Sequence, residues 1–131
     1  MGVEVGGSPS FSARLSEVQG VTVLRVSGEL DLRSAPLFQE ALERAVTAAE
    51  RAEGPASKVL VVDLSEAEFM DSAGISTLIR STQRFEDSGG EIRLVVLGGE
   101  VLRLLEVTGL DEALRVYPDA LSAIEDRRGG G

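Results

Sequence analysis

One short stretch decides the fold, the junction Phe69-Met70-Asp71-Ser72-Ala73-Gly74-Ile75. Ahead of it lies a continuous apolar run, Val59-Leu60-Val61-Val62, whose length and β-branched composition are typical of a strand buried on both faces. Behind it, apolar and small side chains recur at helical spacing: Ile75, Leu78, Ile79, Thr82 and Phe85. The junction therefore predicts a strand that passes directly into an amphipathic helix, which Ser88-Gly89-Gly90 then ends.

Strand-like and helix-like spacings of apolar residues alternate along the rest of the chain. Strand patterns occupy residues 11–17, 21–26, 59–62, 92–97 and 114–117. Helical patterns follow Ser34 as N-cap up to Glu53-Gly54-Pro55, then the junction, then 101–105 before Gly109, and finally Pro118 to Ile124. An extra first strand followed by four strand–helix units predicts a single α/β domain with a mixed, mostly parallel sheet of four to five strands.

Composition sets the bounds of this domain. Residues 1–10 are rich in Gly and Ser and are predicted to be a flexible N-terminal segment. The domain is predicted to cover residues 11–126, and residues 127–131 are predicted to be a flexible tail. A chain of 131 residues is long enough for one hydrophobic core without disulfides.

Charge and residue usage exclude several classes of function. The chain has no Cys and no His, which removes thiol chemistry, Ser-His triads and His-containing metal sites. A net charge of −9 disfavours nucleic acid as a partner, because no basic patch is available to meet phosphates. No apolar run approaches the ~20 residues of a membrane span, and no signal peptide is recognisable, so we expect a cytoplasmic protein with no membrane partner.

Ser72 allows two interpretations that are compatible with each other. Asp71 or Ser72 can cap the helix, since both side chains accept hydrogen bonds from free N–H groups in the first turn. Ser72 can also be a phosphoacceptor, because a helix N-terminus carries about half a positive charge that favours a phosphate. Gly74 leaves the first turn without a side chain, which would let the loop of a partner protein approach closely.

Two further segments end predicted strands. Gly28-Glu29-Leu30-Asp31 has the composition of a turn that leads into a helix. Asp63 follows the apolar run and is interpreted as a turn residue. Receiver-type phosphoryl chemistry at Asp63 would need an acidic pair and a Lys at a later strand end, and the only Lys, Lys58, precedes the strand. No Gly-rich phosphate loop is present.

Four motifs together resemble a known family. Gly28-Glu29-Leu30-Asp31, Val61-Val62-Asp63-Leu64, the 69–75 junction and Val107-Thr108-Gly109-Leu110 stand in the order and spacing of the STAS domain, and specifically of bacterial anti-sigma factor antagonists. The resemblance runs from about Phe11 to Ile124. It implies a sheet whose βα units are wound as a superhelix.

The resemblance also implies a function in partner switching. The unphosphorylated antagonist would bind an anti-sigma factor, itself a Ser kinase with a GHKL-type ATP site, and so release a sigma factor. The kinase would phosphorylate the Ser of the D-S-x-G motif, here Ser72, and a PP2C-type phosphatase would reverse the reaction. Asp31 and Asp71 match the family's acidic residues near the phosphosite. Many members have a second hydroxyl where this chain has Ala73, so only Ser72 is left as acceptor.

The expected interaction surface thus comprises Asp31, Asp71, Ser72, Ala73 and Gly74. We expect a protein that is not an enzyme, needs no cofactor or metal, and is a monomer or weak dimer. Two alternatives stay open: a non-phosphorylated STAS subunit of a lipid-transport or stress-signalling complex, and a small metal-dependent hydrolase that uses Asp63 or Asp71. The roles of the N-terminal segment and of the connection at 47–57 are not predicted.

Overall fold

The computed structural model describes residues 2–54 and 58–127. The predicted tail beyond Arg127 and the Pro55 of the predicted helix stop lie outside these residues. The strands are β1 (Val3–Ser8), β2 (Phe11–Val18), β3 (Val21–Leu30), β4 (Val59–Met70), β5 (Glu91–Val95) and β6 (Arg115–Tyr117). The helices are α1 (Ala35–Arg51), α2 (Ser72–Asp87), α3 (Gly99–Thr108), α4 (Leu110–Ala113) and α5 (Ala120–Glu125).

The strands form one mixed sheet in the order β1-β2-β3-β4-β5-β6. The pairs β1–β2 and β2–β3 are antiparallel, whereas β3–β4, β4–β5 and β5–β6 are parallel. The prediction of a single α/β fold with a mixed, mostly parallel sheet is confirmed. Each parallel pair is joined through helical segments, as parallel strands require a crossover.

The sheet has one strand more than the four to five predicted. Residues 3–8, which the sequence placed in a flexible segment, form β1 and pair with β2 from Val3↔Leu15 to Ser8↔Phe11. Gly6 and Gly7 give this stretch little intrinsic strand preference, so its pattern is that of a loop. The neighbouring strand supplies the hydrogen-bonding edge that the local sequence does not signal.

The two faces of the sheet are covered unequally. Alternate residues of the central strands point to the side of α1, α2 and α3, where the larger core contains Leu24, Leu60, Leu94, Phe38 and Leu78, all fully buried. On the opposite face, α5 packs Ala123 and Ile124 against a smaller cluster that contains Val23, Val61, Val95 and Tyr117. No helix in the described part of the chain is long and apolar enough to cross a membrane.

The strand β4 is much longer than the predicted 59–62. It continues through polar residues to Met70, and its pairing with β3 shifts register between Arg25 and Ser27 and again between Gly28 and Glu29. Asp63 is therefore a buried residue inside a strand, and its interpretation as a turn residue is wrong. The pairing partner on β3 keeps the chain extended where a polar local sequence would favour a turn.

Candidate functional site

The candidate site lies where β3 and β4 end side by side. The two parallel strands remain paired to their last residues, Leu30 and Met70. The N–H of Asp71 then donates to the carbonyl of Leu30 at 3.1 Å. This contact brings the start of α2 next to the segment that leads from Leu30 and Asp31 into α1. The motifs that contain Asp31 and Ser72 therefore meet at the carboxyl edge of the sheet, where sites in such sheets gather.

Asp71 is the N-cap of α2. Its backbone is extended, and its Oδ1 accepts hydrogen bonds from the N–H groups of Ala73 at 2.9 Å and Gly74 at 3.2 Å. The N–H of Ile75 donates to the carbonyl of Asp71 at 3.0 Å, which closes the first helical turn. Of the two side chains predicted to cap α2, that of Asp71 makes the capping hydrogen bonds.

The side chain of Ser72 therefore takes no part in capping α2. Ser72 is the first residue of α2 and is exposed. Within residues 2–54 and 58–127, its hydroxyl makes no hydrogen bond. An accessible hydroxyl with no internal partner is what a modifying enzyme needs to reach.

Asp31 is held in a tight turn before α1. Its Oδ1 accepts from the N–H groups of Arg33 at 3.0 Å and Ser34 at 3.1 Å. The hydrogen bond from the backbone of Ser34 is the main cause that lowers the pKa of the Asp31 carboxyl below its ordinary value of 3.8. Asp31 is therefore a fixed negative charge at neutral pH.

Gly74 has an internal reason for being glycine. It is buried, and a Cβ added there would lie 2.6 Å from the carbonyl oxygen of Leu30 and 3.0 Å from the Cγ of Met70. The close approach is thus made by β3 of the same chain, where the sequence analysis expected the loop of a partner. Ala73, partly exposed, leaves no second hydroxyl beside Ser72.

Three exposed apolar residues near strand ends were not predicted from the sequence. Exposed large hydrophobic side chains lie at the carboxyl ends of three adjacent strands: Leu32 (75% exposed), Phe69 (42%) and Leu97 (69%). Each stands close in sequence to the end of β3, β4 or β5. In the sequence, each of them is visible only as an apolar residue in a segment expected to be exposed. Single exposed hydrophobic residues are common on protein surfaces and do not by themselves indicate a function.

The carboxylates proposed for a metal-dependent hydrolase are engaged elsewhere. The Oδ2 of Asp63 lies 3.4 Å from the Nε of Arg25, and its Oδ1 accepts from the N–H of Ser65 at 2.9 Å. Asp71 caps α2, as described above. In the described part of the chain no group of three or more acidic residues is placed to hold a metal ion.

Comparison with known proteins agrees with this geometry. A family model described as the STAS domain matches residues 12–123. This chain belongs to the STAS domain family. The family predicted from the four motifs is therefore confirmed, and the carboxyl edge described above is that of a STAS domain.

Individual relatives of this STAS domain are similar over most of their length. The anti-sigma-F factor antagonist RsfB of Mycobacterium tuberculosis is 31% identical over 121 residues, which cover 92% of this chain and 93% of that protein. An anti-sigma-B factor antagonist of Listeria monocytogenes is 33% identical over 91 residues, 70% of this chain and 74% of that protein. The crystal structure of an anti-sigma factor antagonist from Mycobacterium paratuberculosis superposes with a TM-score of 0.76 at 29% identity, covering 90% and 95% of the two chains.

Proposed function

We propose that this STAS domain is an anti-sigma factor antagonist that is switched by phosphorylation of Ser72. In its unphosphorylated form it binds an anti-sigma factor in the cytoplasm, and a sigma factor is released. The observation that carries this proposal is the exposed, unbonded hydroxyl of Ser72 at the start of α2, directly after the capping carboxylate of Asp71. The names of the similar proteins, antagonists of anti-sigma-F and anti-sigma-B factors, support it.

The binding surface is the carboxyl edge of the sheet. Asp31, Asp71 and Ser72 form its polar centre with Ala73 beside Ser72, while Gly74 contributes from beneath by letting α2 sit close to Leu30. Leu32, next to Asp31, and Phe69, two residues before Asp71, offer apolar contacts beside that centre. Apolar anchors in a well-packed centre are typical of protein interfaces, so the partner should present apolar side chains and a surface fitted to the unmodified Ser72 hydroxyl.

Phosphorylation would act by charge and bulk at this surface. A phosphate adds about −1.5 to −2 charges at neutral pH. The N–H groups of Ala73 and Gly74 already bind the Asp71 carboxylate, so the phosphate would project outward from the helix. Like charges brought together in an interface cost several kcal/mol. A cost of about 3 kcal/mol corresponds to roughly 100- to 200-fold weaker binding.

The enzymes of the cycle follow from the same proposal. A Ser kinase of the GHKL type, the anti-sigma factor itself, adds the phosphate, and a phosphatase of the PP2C type removes it. The antagonist is then the substrate of both enzymes and has no catalytic activity of its own.

Radiolabelling tests the phosphosite directly. We expect the purified protein to be labelled by a cognate anti-sigma factor kinase with ATP, and we expect Ser72→Ala to abolish the label. The matched control is Ser76→Ala, which removes another exposed hydroxyl one turn further along α2 and should leave labelling unchanged.

Two outcomes would contradict the proposal. Label that survives Ser72→Ala would place the phosphosite elsewhere. Tight binding to the anti-sigma factor that is the same before and after full phosphorylation would favour a constitutive STAS subunit over a switch.

A further inference from the structure

The face of the sheet opposite α2 contains two arginines at neighbouring positions. Arg14 on β2 and Arg25 on β3 are direct partners in the antiparallel register, so their side chains leave the same face at neighbouring positions. Like charges directly opposite each other on a sheet are destabilising. The chain has 22 acidic residues and 13 basic ones, so such a pairing is not forced by a shortage of carboxylates.

The two arginines differ in how they are held. The Nε of Arg25 lies 3.4 Å from the Oδ2 of Asp63, and the side chain of that carboxylate is only 3% exposed. Since Asp63 is fixed in turn by the N–H of Ser65, Arg25 is oriented by a rigid partner. The buried carboxylate of Asp63 thus holds Arg25 at this face of the sheet.

Arg14 has no such partner. In the part of the chain that the structure describes, it makes no ion pair. Glu4 is its register partner on β1, but the Glu4 carboxylate lies toward Gly7, where an added Cβ would be 3.4 Å from Oε1. The Arg14 side chain instead passes over Gly2, where an added Cβ would be 2.9 Å from its Nε.

These arginines line a concavity of about 250 Å³. Ser16 lies beside them, and Val23, Ala120 and Ile124 form an apolar wall between the sheet and α5. The volume is below the range of about 300–1,000 Å³ typical of pockets for drug-sized ligands. The site thus combines two guanidinium groups, a hydroxyl and an apolar surface in a space suited to a small molecule.

We propose that this concavity binds a small organic anion whose phosphate or carboxylate group lies between Arg14 and Arg25. Guanidinium groups bind both kinds of oxyanion through paired N–H donors. The anion would neutralise the like-charged pair, and its apolar part would contact Val23 and Ile124. The site is separate from Ser72 and does not depend on the proposed switching function.

Titration of the whole protein by heteronuclear NMR tests the site. The probes are phenyl phosphate and benzoate, with sodium chloride added to matched ionic strength as the reference. We expect saturable shifts of the Val23 and Ile124 amides and of the Arg14 side-chain N–H with at least one probe. The probe that binds more tightly identifies the head group.

The variant Arg14→Gln should weaken binding by about tenfold or more. Arg14 is preferred to Arg25 for this test because replacing Arg25 would leave buried Asp63 without its cation. The matched control is Arg44→Gln, which replaces an exposed arginine on α1 and should bind as the wild type does. Arg14→Lys keeps the positive charge but loses the paired N–H donors of the guanidinium, so it should give an intermediate affinity.

Either of two results would overturn the proposal. One is the absence of saturable shifts with both probes at millimolar concentration. The other is an equal affinity of the wild type, Arg14→Gln and Arg14→Lys, each shown to be folded by its own spectrum.

Discussion

The two junctions at the carboxyl edge of the sheet each contain an aspartate and a serine, and they use them in opposite ways. Between β3 and α1, Ser34 is buried, and its hydroxyl donates to the carbonyl of Glu29 at 2.6 Å and accepts from the N–H of Asp31 at 3.0 Å. Between β4 and α2, Asp71 makes the capping bonds, and Ser72 is exposed. One serine is structural, and the other is free for modification.

The difference comes from which residue occupies the N-cap position. Ser34 stands at the N-cap of α1, but its side chain makes no cap hydrogen bond and stabilises the preceding turn. Asp71 stands at the N-cap of α2, which places Ser72 one residue later, on the outside of the first turn. A shift of one position in the cap therefore separates a buried hydroxyl from an accessible one.

The largest expected effect concerns binding at the second junction. Ser72→Asp should weaken binding to the anti-sigma factor by up to about 100-fold, because it adds charge next to Asp71. Ser72→Ala should bind as the unphosphorylated wild type does. Isothermal titration calorimetry measures both affinities. Gln83→Glu, which adds charge to an exposed site far along α2, is the control; an equal loss there would contradict a local effect.

The next effect tests the contact that joins the two junctions. Gly74→Ala would place a Cβ 2.6 Å from the carbonyl oxygen of Leu30, and overpacking of this kind costs about 1–3 kcal/mol. In an open helix the same replacement stabilises by up to about 1 kcal/mol. The free energy of unfolding from urea denaturation distinguishes the two, and a stabilised Gly74→Ala protein would show that α2 is free to move away from β3.

A third prediction compares how much each of the two serine hydroxyls contributes to the stability of the fold. Ser34→Ala removes a buried hydroxyl and leaves the carbonyl of Glu29 and the N–H of Asp31 without their partner, which should cost about 1–3 kcal/mol. Ser72→Ala should change the free energy of unfolding by less than about 0.5 kcal/mol. Thermal and urea unfolding of both variants measure the contrast, and equal losses would refute the assignment of structural and free serines.

The smallest effect is a dependence of stability on pH at the first junction. The folded state lowers the pKa of Asp31 below 3.8, so the ionised carboxylate stabilises the fold above that value. This contribution is lost as the pH falls below 3.8 and through the folded pKa. The difference in unfolding free energy between wild type and Asp31→Asn should therefore shrink between pH 5 and about 2. A constant difference across that range would contradict the assignment.

The local pattern of apolar residues was sufficient to predict most of the strands and helices. The runs 21–26, 59–62 and 92–97 fall within or overlap β3, β4 and β5, and the apolar spacing after Ser34 and after Asp71 marks α1 and α2. The placement of Asp31 beside the Asp71–Ser72 junction was predictable too, because both motifs follow parallel strands. The local pattern did not predict β1 or the second half of β4, where Gly6, Gly7 and Glu66 are extended because each pairs with a neighbouring strand.

The sequence by itself determined the α/β class and the family, since periodicity, turn residues and the order of short motifs can be read directly along the chain. Only the tertiary structure decided which serine is free and why position 74 must be glycine. It also decided that Asp63 lies inside a strand against Arg25. The need for glycine at position 74 and the place of Asp63 depend on contacts of β3 with α2 and β4, made by residues about 40 positions apart. Between β4 and α2, the sequence left open whether Asp71 or Ser72 is the cap, and the structure shows the Asp71 carboxylate bonded to the N–H groups of Ala73 and Gly74.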